Sequence, residues 1–186
     1  MSLVITIATQ DYAIIAGDHR CTHIRDDNVY YDAALKVFNV NQNVIVGFTG
    51  DVDATMQLVN QLPALSSNAT VEQIARELRV LVLDDTYLTI VLSGVAKDGR
   101  VRLIEMSHRD NFTQHITDIP DGEIRWLSSY AYVNPNDMIA EEFSKLPEGS
   151  PQEVAEMIKG IIEKVSVEDI RVSKECTLLG IVNKTM

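Results

Sequence analysis

Residues 1–18 read Met1-Ser2-Leu3-Val4-Ile5-Thr6-Ile7-Ala8-Thr9-Gln10-Asp11-Tyr12-Ala13-Ile14-Ile15-Ala16-Gly17-Asp18. Two short apolar runs, 3–8 and 12–16, flank a polar break, which predicts two strands and a tight connection. A terminus that runs straight into a core strand does not fray. If Met1 is removed, Ser2 presents a free α-amine and a hydroxyl on a rigid strand end. The hydroxyl can attack a carbonyl and the amine can take its proton. An α-amine, with a reference pKa of about 7.7–8.0, suits general-base work near neutral pH. An ordinary start codon followed by an edge strand fits the same residues.

The rest of the chain alternates blocks of strands with pairs of helices. Residues 19–32 are polar and read as a long turn or loop. Residues 35–40 and 44–49 read as a hairpin across Asn41-Gln42-Asn43. Gly50-Asp51 opens a helix with Val52, Met56, Val59 and Leu62 at helical spacing, stopped by Pro63. Thr70 and Gln73 form a capping box before a second helix that buries Val71, Ile74, Leu78, Leu81 and Val82. Residues 87–94 and 100–106 form a hairpin over Lys97-Asp98-Gly99. Residues 112–117 and 123–128 continue the sheet. Asn134-Pro135 and Ser150-Pro151 start two more helices, and residues 177–182 form the last strand. Hairpins imply antiparallel sheets. Two facing sheets with helices outside would bury every apolar face, although periodicity also allows a one-sheet α+β fold.

Composition narrows the function. The 186 residues fit a single domain, 1–186, with a full core. A formal net charge of −11 argues against nucleic acid or an anionic membrane as partner. Two cysteines, Cys21 and Cys176, make no disulfide framework and no zinc pattern, and fit a cytoplasmic location. No basic segment precedes the apolar start, so no signal peptide is expected, and no apolar run reaches the length of a membrane span. His19, Cys21 and His23 alternate, but without an evident fourth ligand a solvated loop is the expectation. Asp26-Asp27 and Asp84-Asp85 read as solvated pairs, and Trp126 and Tyr130 as core or pocket aromatics.

Four stretches, in this order, resemble the proteasome β-type peptidases, including the HslV-type subunit. They are residues 2–20, 35–38, 46–51 and 169–173, and with the element order they span nearly the whole chain. The resemblance implies a four-layer αββα fold, the N-terminal-nucleophile hydrolase (proteasome-like) fold. It implies a peptidase whose nucleophile is Ser2, with Asp18, Arg20, Lys36, Gly50, Ser129 (or Ser128), Asp169 and Ser173 at the site. Gly50 would give the oxyanion-stabilising N–H. No cofactor and no metal are implied. Polypeptide substrates, homo-oligomeric stacked rings and an ATP-dependent unfoldase partner are implied. The family's usual nucleophile is threonine, and its Gly-Ser-Gly turn is Leu127-Ser128-Ser129-Tyr130 here. A catalytically silent ring subunit and a small-molecule amidase on the same fold are the alternatives.

These residues also make physical sense by themselves. A buried Lys36 cation near the α-amine would favour the neutral amine, and Asp18 would hold Lys36 in place. An N–H at the start of a helix suits a developing oxyanion. A plain strand-end ion pair and a plain helix start use the same residue types.

Overall fold

The computed structural model describes residues 2–23, 26–65, 67–145 and 149–184, with Asp27 described by its backbone alone. Met1, on which activation was predicted to depend, lies outside the described residues. Strands β1 (Val4–Ala8) and β2 (Tyr12–Asp18) are buried on both faces. Side chains alternate across a strand, so Leu3, Ile5 and Ile7 point one way and Val4 and Ala8 the other. The first set joins Tyr12, Ile14 and Ala16 in one core cluster. The second joins Ala13 and Ile15 in another. An apolar run without polar alternation is what a sheet covered on both faces requires.

All pairings are antiparallel. β1 and β2 sit in the middle of a four-stranded sheet, ordered β10 (Arg125–Ser129), β1, β2, β11 (Cys176–Val182). The second sheet has five strands in sequence order: β5 (Val37–Asn41), β6 (Val44–Gly50), β7 (Leu88–Val95), β8 (Val101–Ser107) and β9 (His115–Asp118). Between the sheets Val4, Ile15 and Ile181 meet Ile45, Val91 and Leu103. Helices α3 (Asn136–Lys145) and α4 (Pro151–Glu168) cover the outer face of the first sheet through Ile139, Val154, Ile158 and Ile162. Helices α1 (Val52–Val59) and α2 (Val71–Leu81) cover the second through Leu58, Val71, Ile74 and Leu78. The expected helix–sheet–sheet–helix stack is therefore present.

Three expectations need correction. Residues 19–32 are mostly not a loop. β3 (Arg20–His23) and β4 (Asp26–Asp32) pair with each other and, among the described residues, with no other strand. This hairpin is exposed on most of its length, so it lacks the apolar alternation that marks a buried strand. Residues 112–117 begin as a turn. A short 3-10 turn, His108–Asp110, leads to Asn111 and Phe112 with φ of 56° and 57°, and the strand starts only at His115. Phe112 is nevertheless buried in the α1/α2-side core. Leu81 is 40% exposed, so α2 buries Ala75 and Leu78 and stops short of Leu81. On α1, Val52 and Met56 face away from the core, at 39% and 48% exposure, and Thr55 and Leu58 are buried instead. The two capping boxes form as expected, at Thr70 with Gln73 and at Ser150 with Glu153.

Candidate active site

Ser2 lies buried at the mouth of the sandwich, one residue before Leu3 and two before β1. Asp18 at the end of β2 fixes it there. The Leu3 N–H donates to Asp18 Oδ1 at 2.8 Å, and the Asp18 N–H donates to the Leu3 carbonyl at 3.1 Å.

The Asp18 carboxylate is fully buried and accepts four hydrogen bonds. Lys36 Nζ donates to Oδ1 at 2.5 Å, beside Leu3 N–H. The N–H groups of Arg20 and Ser173 donate to Oδ2 at 2.8 and 3.0 Å. Lys36 Nζ also donates to the Arg20 carbonyl at 2.6 Å. Burial holds the Lys36 ammonium below the ordinary lysine range, and Asp18 pulls it partly back. The residue pair is thus a desolvated cation held by an anion that is itself saturated with donors. Gly17 makes this approach feasible, because a Cβ there would sit 2.9 Å from Lys36 Cβ.

Gly50 ends β6 with φ +122°, and a Cβ there would lie 2.3 Å from the Tyr87 carbonyl oxygen. Only glycine accepts both constraints. The Tyr87 carbonyl instead accepts the Asp51 N–H at 2.8 Å, and Asp51 caps α1 by accepting from the Ala54 N–H at 3.0 Å. Gly50 therefore sits directly before a capped helix start.

The Ser129 hydroxyl is 2.5 Å from Thr49 Oγ1, on the inner side of the sandwich. Ser128, pointing to the other face, donates to Asn136 Oδ1 at 2.8 Å, which also accepts from Trp126 Nε1 at 3.1 Å. Of the two serines, Ser129 is the one buried beside Thr49.

The other expected residues are less central. Ser173 contributes its N–H to Asp18, but its hydroxyl is engaged with the Glu175 carbonyl at 2.8 Å and the His19 N–H at 2.9 Å. Asp169 is buried. Its Oδ1 accepts from Arg171 N and Nε, both at 3.0 Å, and its Oδ2 has no hydrogen-bond partner. No hydrogen bond joins Asp169 to Ser2, Lys36 or Asp18 among the described residues. Arg20 joins the junction by its backbone only, because its guanidinium pairs with Asp32 and donates to the Ile170 carbonyl at 2.7 Å. His19 is 2.8 Å from Thr177 Oγ1, and no group of three potential metal ligands occurs among the described residues.

Two cavities meet at Ser2 and Gly50. One, of about 370 Å³, is mostly apolar and includes Lys36, Cys21, Tyr31, Phe48, Val52 and Met56. The other, of about 550 Å³, is polar and includes Ser129, Glu105, Asp110 and His115. Sequence reasoning named Lys36, Gly50, Ser129 and Tyr130 among these walls but missed Glu105, Phe48, Val52 and Met56. Val52 and Met56 carried a usable signal, since they fall on a different face of α1 from Leu58. Trp126 packs against Phe143 at 5.8 Å, while Tyr130 lines the polar cavity.

The four layers and their antiparallel sheets give this chain the proteasome-like fold of the N-terminal-nucleophile hydrolases. Among solved structures, the chain is similar to Anbu (ancestral β-subunit) from Yersinia bercovieri, with TM-score 0.73, 14% identity, and coverage of 97% of this chain and 81% of that one. It is also similar to eukaryotic HslV from Trypanosoma brucei, with TM-score 0.62, 13% identity, and coverage of 97% and 99%. No family model matches the sequence, and no curated protein is significantly similar to it. The likeness is one of fold.

Proposed function

We propose that this chain is a proteasome-like hydrolase that cleaves peptide bonds with Ser2 as its N-terminal nucleophile, exposed by removal of Met1. The observation that carries the reading is the single oxygen, Asp18 Oδ1, that binds both the Leu3 N–H and the Lys36 ammonium. That atom ties the residue following the nucleophile to Lys36, which lines the apolar cavity together with Ser2. In this reading Ser2 Oγ attacks the substrate carbonyl and the α-amine takes its proton. The nearby Lys36 charge keeps the amine neutral. The Gly50 N–H, before the start of α1, stabilises the oxyanion. Water then hydrolyses the ester, and no cofactor takes part. Asp18, Arg20 (through its backbone) and Ser173 position Lys36. Ser129 lies at the cavity edge beside Thr49, and Asp169 supports the turn before β11.

The apolar cavity suits a large apolar side chain on the substrate, because its walls are Phe48, Val52 and Met56. The resemblance to proteasome subunits further supports a homo-oligomer of stacked rings, with Ser2 facing inward and an ATP-dependent unfoldase as partner. A cytoplasmic setting fits the two free cysteines. No described helix is long and apolar enough to cross a membrane.

The test combines three measurements. Intact mass reports whether Met1 is gone. Hydrolysis of fluorogenic peptides is expected to fall on the order of 10³-fold or more in Ser2→Ala, with the fold retained, and Ser2→Thr should remain active. Ultracentrifugation should give an oligomer. Retained Met1 with no hydrolysis would instead favour a silent subunit, and a 20.7 kDa monomer would remove the ring model.

A further inference from the structure

The polar cavity beside Ser2 contains a carboxylate that nothing in the site's expected chemistry uses. On β8, Val101, Leu103, Glu105 and Ser107 share one face by strand alternation. Val101 and Leu103 are packed into the core between the sheets. Glu105 continues that same row, so a charge stands where the pattern supplies an apolar residue. It is half-buried and opens into the cavity that holds Ser2, Gly50 and Ser129. Burial raises its carboxyl above the usual glutamate range, more than His115 and Arg109 lower it.

The neighbours leave this carboxylate unmatched. No hydrogen bond or ion pair engages it among the described residues. His115 lies directly opposite on β9, but its Nε2 is taken by Asp110. Arg109 and Asp110, from the turn after β8, add one charge of each sign to the cavity lining. β7 presents Val91 opposite Glu105 and the uncharged Thr89 nearby, and Ser129 of β10 and Tyr130 just after it complete this side. The cavity therefore keeps one anion in excess, at its partly desolvated floor. A desolvated carboxylate without a partner costs free energy that a cation entering the cavity would recover.

We propose that this cavity is a second substrate subsite, and that Glu105 receives a cationic group there: a lysine or arginine side chain, or a free ammonium, of the chain being cut. The inference rests on the peptidase reading above. A peptide laid across Ser2 places one residue in the apolar cavity and another, beyond the reacting carbonyl, in the polar one. Glu105 is then a specificity-determining residue that touches substrate.

The experiment uses the full chain and quenched fluorescent peptides. Each peptide carries Lys, norleucine or Glu at one of the two positions on either side of the cut. At one position, wild type should prefer Lys over norleucine by about tenfold in kcat/KM, the scale of one good charge pair. Glu105→Gln should bring that ratio close to one, and Glu105→Lys should turn the preference to Glu. Equal ratios in all three proteins at all positions overturn the subsite. The same peptides are also titrated by fluorescence anisotropy against Ser2→Ala and against Ser2→Ala with Glu105→Gln. A Lys preference in binding that disappears with Glu105→Gln supports the subsite even if wild type shows no turnover, an outcome that sinks the peptidase reading alone. No binding preference and no kinetic preference sinks the subsite.

Discussion

At the end of the sandwich away from Ser2, the two sheets are joined by neutral amides. Gln10, just past β1, donates to the Ile119 carbonyl and accepts the Val101 N–H at 3.1 Å. Asn183, just past β11, donates to the carbonyls of Gln10 and Gly99 at 3.0 and 2.9 Å. The Ser2 end instead has a buried ion pair, a glycine at φ +122° and two cavities. Both ends face the same task of closing two sheets over polar backbone. The closed end does so with each polar group matched and no charge, the cheapest solution in a low-dielectric interior. The open end keeps strained and desolvated groups, and such features concentrate where chemistry is done.

Mutations can break this contrast, and the largest effect is expected at the ion pair. Lys36→Met leaves Asp18 buried and charged, a loss of the order of 3–5 kcal/mol for such pairs. Three backbone donors still serve Asp18, so the low end of that range is expected in urea unfolding. Hydrolysis should be lost as well. The double variant Asp18→Asn with Lys36→Met removes the buried charge but turns an amide NH2 toward a backbone donor, so it should recover part of the stability and none of the activity. If instead activity returns with stability, Lys36 has only a structural role. Gly50→Ala is the next step down. The φ of +122° alone costs roughly 1–3 kcal/mol in a residue with a Cβ, and the Tyr87 carbonyl must also move. Activity should fall with stability; full turnover in Gly50→Ala would show that the site tolerates a Cβ there with the backbone N–H kept in place.

The closed end gives the opposite pairing of effects. Gln10→Ala orphans the Val101 N–H and the Ile119 carbonyl, at roughly 1–3 kcal/mol, without changing kcat/KM. A change in activity greater than the change in folded fraction would show that the two ends are coupled.

The smallest effect is at Glu105, and its sign is the informative part. A carboxyl whose folded pKa lies above its unfolded value favours folding when protonated and opposes it when ionised. The opposition is absent below the unfolded pKa and is complete above the folded one. Glu105→Gln should therefore raise the melting temperature slightly at neutral pH, and the gain should vanish as the pH falls through the glutamate range. A loss of stability at neutral pH would mean that Glu105 has a partner in the folded protein.

The layers were legible because β1 and β2 lack polar alternation, and because the capping boxes at Thr70 and Ser150 mark helix starts independently of packing. The β3–β4 hairpin was not legible. Its strands bury little and, among the described residues, pair only with each other, so neither period nor apolar content separates them from a loop. Lys36 and Asp18 could be paired only through the resemblance, since a lysine before one strand and an aspartate after another carry no spacing signal of their own. Glu105 was missed for a different reason. Its row on β8 becomes visible only when Val101 and Leu103 are known to face the other sheet. Val52, Met56, Val59 and Leu62 fall at helical spacing, and spacing reports a shared face without saying what that face meets.

The four-donor carboxylate of Asp18 also sets a timetable for biosynthesis. Its donors Leu3 and Lys36 lie 15 and 18 residues away, whereas Ser173 lies 155 away. At translation speeds of about 5–20 residues per second, Ser173 emerges on the order of ten seconds after Asp18. Until then β2 has β1 on one edge and nothing on the other, because β11 has not been made. Contacts at such separations form late and slowly. A growing chain on the ribosome thus carries Ser2 for most of its synthesis without the finished clamp on Lys36. The topology delays assembly of the site until Ser173 and β11 have been made.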